Sequence, residues 1–239
     1  MGVRARALAA VASAPPLLLL LSLSLSLLLG GAGCKQRGGG GTAAAAKPST
    51  NDIADLAQVP TPSAADARYK NVFKPLDGTW VGTFEIFIDS RGQQRAPRPR
   101  SIDSAALDRA PYKLQSRVDV QQHYVSESPT FQRVTIVDRY KDAQGRTRVV
   151  ESRGVNKVQD GKLWCVVKKP DDTVIHRGTL AAAQTIIWQR ERRSPLAIEW
   201  FHETVHEQTY SIVGWGYYGA DKPELAPRMF FRARYRRPK

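Results

Sequence analysis

Cysteine is scarce in this chain: among 239 residues there are two, Cys34 and Cys165. If Cys34 is used outside the folded domain, Cys165 stands alone, no intramolecular disulfide can staple the fold, and stability must come from a packed core. Catalytic signatures are also missing. The chain has no G-x-S-x-G elbow, no G-x-x-x-x-G-K-[ST] phosphate loop and no second cysteine for a redox pair, which removes the commonest hydrolase, nucleotide-binding and thiol-exchange readings. Acids are outnumbered, 22 against 36 lysines and arginines, for a net charge of +14. Nucleic acid is nevertheless not expected as a partner, because no zinc-finger, RNP or helix-turn-helix signature accompanies the charge. A long unbroken apolar run is lacking too. Ala7 to Leu29 is interrupted by Pro15-Pro16, and Leu17 to Leu29 falls short of the roughly 20 residues that a membrane-spanning helix needs.

What the N-terminus does contain is an ordered series: a short basic stretch from Met1 to Arg6, the apolar stretch, then the small residues Gly31-Ala32-Gly33 directly before Cys34. That order is the pattern of a cleavable export signal. It resembles the lipobox of bacterial lipoproteins, although Gly31 stands where that family mostly carries leucine. The resemblance implies cleavage of residues 1–33, lipid attachment at Cys34 and anchoring in the cell envelope. Lys35, rather than an aspartate, follows the cysteine, which under the lipoprotein sorting pattern implies the outer membrane, with the inner membrane as the alternative. The mature chain would hold 206 residues with a charge of about +12, enough for one domain and a tail. Basic residues gather at Arg91 to Arg100 and again at Arg232 to Lys239, two candidate contacts for anionic lipid or glycan.

Residues 34–72 are poor in large apolar side chains and include Gly38 to Gly41 and Ala43 to Ala46. Such a composition reads as a flexible tether, with one short helix near Asn51 to Ala57. From residue 73 to 239 the texture becomes that of strands. Trp80, Phe84, Ile86 and Ile88 share one parity, with Thr83, Glu85 and Asp89 on the other, as in a half-buried strand over Gly78 to Asp89. The pattern repeats from Leu114 to Tyr124. Further strands are expected at Phe131 to Tyr140, Arg146 to Val155, Lys162 to Lys168, Thr173 to Thr179, Thr185 to Arg190, Ile198 to Val205, Thr209 to Trp215 and Met229 to Tyr235. Turn residues such as Asp142-Ala143-Gln144-Gly145 and Asp160-Gly161 separate them. An all-β fold of about ten antiparallel strands joined by hairpins favours a single closed barrel over a sandwich, since closure removes exposed edges.

Gly78-Thr79-Trp80 opens the first strand, and Phe230-Phe231-Arg232-Ala233-Arg234-Tyr235 lies in the last. This looks like the calycin superfamily of lipocalin, fatty-acid-binding and nitrobindin barrels. The resemblance implies that Trp80 packs near an arginine of the final strand, Arg232 or Arg234, with the guanidinium over the indole to close one barrel end. It also implies a small apolar ligand inside, for which Trp164, Trp188 and Trp215 are the lining candidates. Haem, as in nitrobindins, would need an inward histidine, and neither His123 nor His176 is clearly placed inward by its strand pattern. Asp138 and Glu151 are the acids that parity allows inside. Cys165, within Leu163-Trp164-Cys165-Val166-Val167, reads as a structural buried thiol.

His202-Glu203-Thr204-Val205-His206 spells H-E-x-x-H. On a helix, this would hold zinc through both imidazoles with Glu203 as general base, giving a metallopeptidase. Residues four apart come within about 5–6 Å on a helix but stand about 13 Å apart along a strand. The β-prone continuation through Thr209, Tyr210, Ile212 and Val213 favours the strand. The expectation is therefore a lipid-anchored envelope protein with a non-catalytic barrel that binds a small apolar ligand or an envelope partner, and no catalytic or metal residues are assigned. Zinc enters only with the metallopeptidase alternative. A second alternative is an assembly scaffold presenting Gly214 to Gly219.

Overall fold

Alternation of inward and outward side chains is the rule from which this molecule is built. The computed structural model describes residues 52–238, so residues 1–33 and Cys34 lie outside the described residues. Ten strands run through them: β1 (Gly78–Asp89), β2 (Tyr112–Ser128), β3 (Phe131–Lys141), β4 (Thr147–Gln159), β5 (Lys162–Lys168), β6 (Thr173–Ala182), β7 (Thr185–Arg193), β8 (Leu196–His206), β9 (Thr209–Tyr218) and β10 (Met229–Arg236). Each pairs antiparallel with its sequence neighbour and β10 closes on β1, leaving no edge strand.

The ladder fixes which residues face the interior. Trp80 lies opposite Gln122, Phe84 opposite Val118 and Ala233, Val134 opposite Gly154, Cys165 opposite His176, and Glu203 opposite Ile186 and Ile212. Exposed charged and polar residues, among them Arg117, Asp119, Gln121 and His123 of β2, occupy the outer face. That arrangement is the reverse of a membrane-spanning barrel, whose outer band is apolar.

The two ends of the barrel differ. At the end where β1 begins, the 3₁₀ turns Ala64–Tyr69 and Lys74–Leu76 lie across the opening. Phe73 and Leu76, each 3% exposed or less, plug it. Phe73 packs with Val158, Leu163, Ile186 and Trp188, and Leu76 with Trp80, Tyr124, Tyr210 and Tyr235. The opposite end, where β1 finishes at Asp89, carries the long connections 90–111 and 219–228 and three tight turns.

Two stretches cover apolar patches on the barrel's outside. The connection 90–111 folds over β8, β9 and β10, where Leu107 joins Phe87, Trp200, Trp215, Tyr217 and Phe230 in a buried cluster. Residues 52–57 form turns instead of the expected helix, and Ile53 and Leu56 pack on Phe131, Val155 and Val166. Lys157, 1% exposed, donates through Nζ to the carbonyls of Asp52 and Asp55 at 3.3 and 3.1 Å. The described part of the stretch read as tether, 52–72, is therefore bound to the barrel, because an apolar strip on β3–β5 needs a cover.

Candidate functional site

The plugged half of the interior is filled by aromatic rings. Trp80 is fully buried, donates from Nε1 to the Leu76 carbonyl at 2.7 Å and meets Tyr210 edge-on at 5.6 Å. A guanidinium does lie over its ring, 4.4 Å from the centroid, but it belongs to Arg237. Arg237 also donates to the Asp77 and Pro75 carbonyls at 2.7 and 3.4 Å. Arg232 and Arg234 are corrected accordingly: Ala233 and Tyr235 take the inward parity, so both arginines point outward. Arg232 pairs with Glu85 and Asp108 at 2.6–2.8 Å and covers Phe87, while exposed Arg234 reaches the Ser104 hydroxyl at 3.3 Å. The two basic clusters are thus partly spent inside the molecule, with Arg91 paired to Asp89 and Arg98 stacked over Trp215 and Tyr217.

Of the three tryptophans expected around a ligand, Trp188 alone faces inward. It stacks on Phe73 at 6.5 Å and lies flat over Gly178, where a Cβ would come within 2.6 Å of the ring. Trp164 lies opposite Lys157 and Arg177 on the outer face, the reverse parity from Leu163 and Cys165. Trp215 stacks on Trp200 at 6.1 Å beneath the 90–111 connection and donates to the Pro99 carbonyl at 3.0 Å. Within the Gly214 to Gly219 stretch, Trp215 and Tyr217 are covered by the chain's own loop and Tyr218 points into the barrel.

The H-E-x-x-H residues lie on strand β8, so the helix on which a shared zinc depends is absent from that segment. His202 and His206 face outward and Glu203 inward. Among the described residues, no group of three His, Cys, Asp or Glu is placed to hold a metal ion. Glu203 accepts a hydrogen bond from the Tyr210 hydroxyl at 2.9 Å; the Tyr210 and Tyr124 hydroxyls are 3.4 Å apart, and Tyr124 donates to Gln122 Oε1 at 3.1 Å. Burial pushes the Glu203 carboxyl up to about 7, against smaller opposing contributions from the Tyr210 and Trp188 hydrogen bonds. Burial, with the Glu203 charge adding to it, pushes the Cys165 thiol up to about 12, which keeps it protonated and unreactive. A shallow cleft between Pro75, Leu76 and the β6–β7 turn reaches Glu203. It has room for about one water molecule.

Toward the other end the lumen changes character. Phe84, Ile136, Tyr140, Ile212, Ile88, Phe201 and Tyr218 all point inward yet are only partly buried. One wall holds an ion cluster. Glu199 Oε2 accepts from His176 Nε2 at 2.7 Å, and Oε1 accepts from the Tyr218 hydroxyl at 2.9 Å and from Arg190 Nη1 at 3.4 Å. Arg190 also reaches Asp172 at 3.2 Å. Burial would raise the Glu199 pKa, but the hydrogen bond and charge of His176, then Arg190 and Tyr218, hold it at about 2. The facing wall carries Asp138 and Ser152. Burial raises the Asp138 pKa, with Lys169 opposing. The Ser152 hydroxyl is buried without a hydrogen-bond partner among the described residues. Of the two acids that parity allows inside, Asp138 is inward and Glu151, opposite Val137, is outward. Sequence reasoning did not single out Glu199, Arg190 or Ser152, and it touched Tyr218 only as part of the Gly214 to Gly219 stretch. Their signal, polar residues at inward parity of apolar strands, becomes visible only once the inward face is known.

By fold the chain is a closed, ten-stranded, antiparallel β-barrel with a plugged end and a polar-walled lumen at the other. No family model matches it and no curated protein matches it. Among solved structures it is similar to a redesigned β-barrel, with 12% identity over 71% of this chain and 97% of that one and a TM-score of 0.31. It is also similar to EF1p2_mFAP2b solved bound to DFHBI, with 13% identity over 71% and 99% and a TM-score of 0.33. Both overlaps are low, and the barrel assignment rests on the continuous ladder of this chain itself.

Proposed function

We propose that the barrel binds a small, largely apolar ligand in the half of its lumen away from the plug, and that lipid on Cys34 holds it in the bacterial envelope, at the outer membrane. The observation that carries the binding reading is the contrast between the two halves. Around Trp80 and Trp188 the inward side chains are closely packed, whereas Phe84, Ile136, Phe201 and Ile212 stay partly accessible although they face the interior of a closed barrel. Ten strands enclose a wider interior than eight, which side chains can just fill. Apolar walls with a few convergent polar groups are the composition of a small-molecule site. The anchoring reading is supported by the sequence order that ends at Cys34.

The binding reading is tested with a neutral apolar fluorophore, N-phenyl-1-naphthylamine, titrated into the purified protein. Saturable fluorescence enhancement is expected, and Ile136→Trp, which fills the lumen from its wall, should weaken it at least tenfold while far-UV circular dichroism stays that of the parent. An unsaturable signal, or one indifferent to Ile136→Trp, overturns the reading.

A further inference from the structure

We propose that Asp138, with Ser152 beside it, is the polar anchor of the lumen and takes the protonated amine of an amphipathic ligand; this deepens the binding reading and rests on it. Asp138 sits inward on β3 between Val120 and Val150, and Ser152, opposite Ile136, is its diagonal neighbour on β4. Diagonal pairs across a ladder lie roughly 7–8 Å apart at Cα, a gap that one ligand headgroup bridges. Ser152 is 3% exposed, and its hydroxyl has no hydrogen-bond partner among the described residues. Asp138 forms no ion pair or hydrogen bond there either; Lys169 is the cation whose charge reaches it, without closing to contact. Tyr140 and Tyr235 share the same face, Tyr235 near enough for the Asp138 charge to act on its hydroxyl.

The polar groups of the facing wall are already matched. Glu199 has accepted three donors, and Arg190 is divided between Glu199 and Asp172. A ligand group could engage that wall only by breaking a buried ion pair, which is strongly unfavourable. Asp138 and Ser152 instead offer acceptor capacity that folding has left unused, and an acceptor desolvated without a donor costs about 1–3 kcal/mol. An ammonium carries three donors and no acceptor, so it satisfies both groups at once. A carboxylate headgroup would bring two acids together, and one of them would have to take up a proton.

Isothermal titration of the purified chain at pH 7.5 with n-decylamine, n-decanol and sodium n-decanoate, each below its critical micelle concentration, tests this. Decylammonium should bind at least tenfold more tightly than decanol, and decanoate more weakly than either. Asp138→Asn should remove the preference for the amine while leaving decanol affinity within twofold, and Ser152→Ala should reduce amine affinity by a smaller factor. Thermal melts identify any variant that fails to fold, and the probe preference of the unsubstituted protein decides in that case. Decanol binding without a preference for the amine, or a preference for decanoate, overturns the anchor and leaves the binding reading standing. Failure of all three probes overturns both.

Discussion

Glu203 shows how much one inward position can weigh. Its carboxyl lies in the plugged half among Trp188, Ile186, Tyr210 and Val205, with an ordinary pKa of 4.5 pushed to about 7 by burial. Between those two values the folded state holds a proton that the unfolded chain has released. Stability therefore falls as pH rises through this window, by about 1.4 kcal/mol per unit where the difference is complete, and levels off above it. Replacing the acid by its neutral isostere removes the effect. Glu203→Gln should be more stable than the parent by about 1–3 kcal/mol at pH 8 and indistinguishable from it at pH 4.5, as read by urea unfolding at the two pH values. A gap of equal size at both would mean that packing, not ionisation, is responsible. Glu199 is held in the opposite direction by His176, so the same strand carries one acid kept protonated up to near-neutral pH and another kept ionised well into the acid range.

At the scale of elements, strand positions were legible in the sequence and strand faces only in part. The ten expected strands are the ten observed, because alternation and turn chemistry are local. The inward face is a tertiary property. On β8, Ala197, Phe201 and Val205 point in while Ile198 and Trp200 point out, and both sets are apolar because the 90–111 connection covers the outside. On β5 the outward Val166 is covered by Ile53 and Leu56 in the same way. A rule that sends apolar residues inward has no purchase on a strand buried from both sides, which is why Trp164 and Trp215 were misplaced. The arginine over Trp80 escaped for another reason: Arg237 follows the end of β10, where strand parity no longer applies. Its contacts predict the outcome of removing it. Arg237→Ala should cost about 1–3 kcal/mol, from the lost cation–π contact and two carbonyls left short of a donor. Arg234→Ala, on the same strand end but exposed, should stay within about 0.5 kcal/mol. Chemical denaturation of the two variants makes the comparison, and equal losses would refute the assignment of Arg237 as the closing residue.

For the whole molecule, the decisive question is what could hold it to a membrane. On the described outer surface, two apolar patches are covered by residues 52–57 and by the 90–111 connection, and Leu114, Val125 and Val149 stand exposed among charged and polar residues of the strands. Among the described residues no helix is long and apolar enough to cross a bilayer. Basic residues at the surface add an attraction that salt screens. The proposed anchor is the lipid on Cys34, which follows Gly31-Ala32-Gly33 in the segment before residue 52. From Cys34 to Ile53, the first residue packed on the barrel, the chain could reach at most about 65 Å when fully extended. That would let the barrel stand clear of headgroups while its lumen receives a ligand from the membrane surface. Expressed from the full sequence in a Gram-negative host, the parent should fractionate with the outer membrane, resist a high-salt wash and incorporate labelled fatty acid. Cys34→Ser should lose the label and enter the soluble fraction, with the barrel's melting temperature and fluorophore affinity unchanged. Retention of Cys34→Ser through the salt wash would refute lipid anchoring and leave the lumen, which depends on none of these residues, untouched.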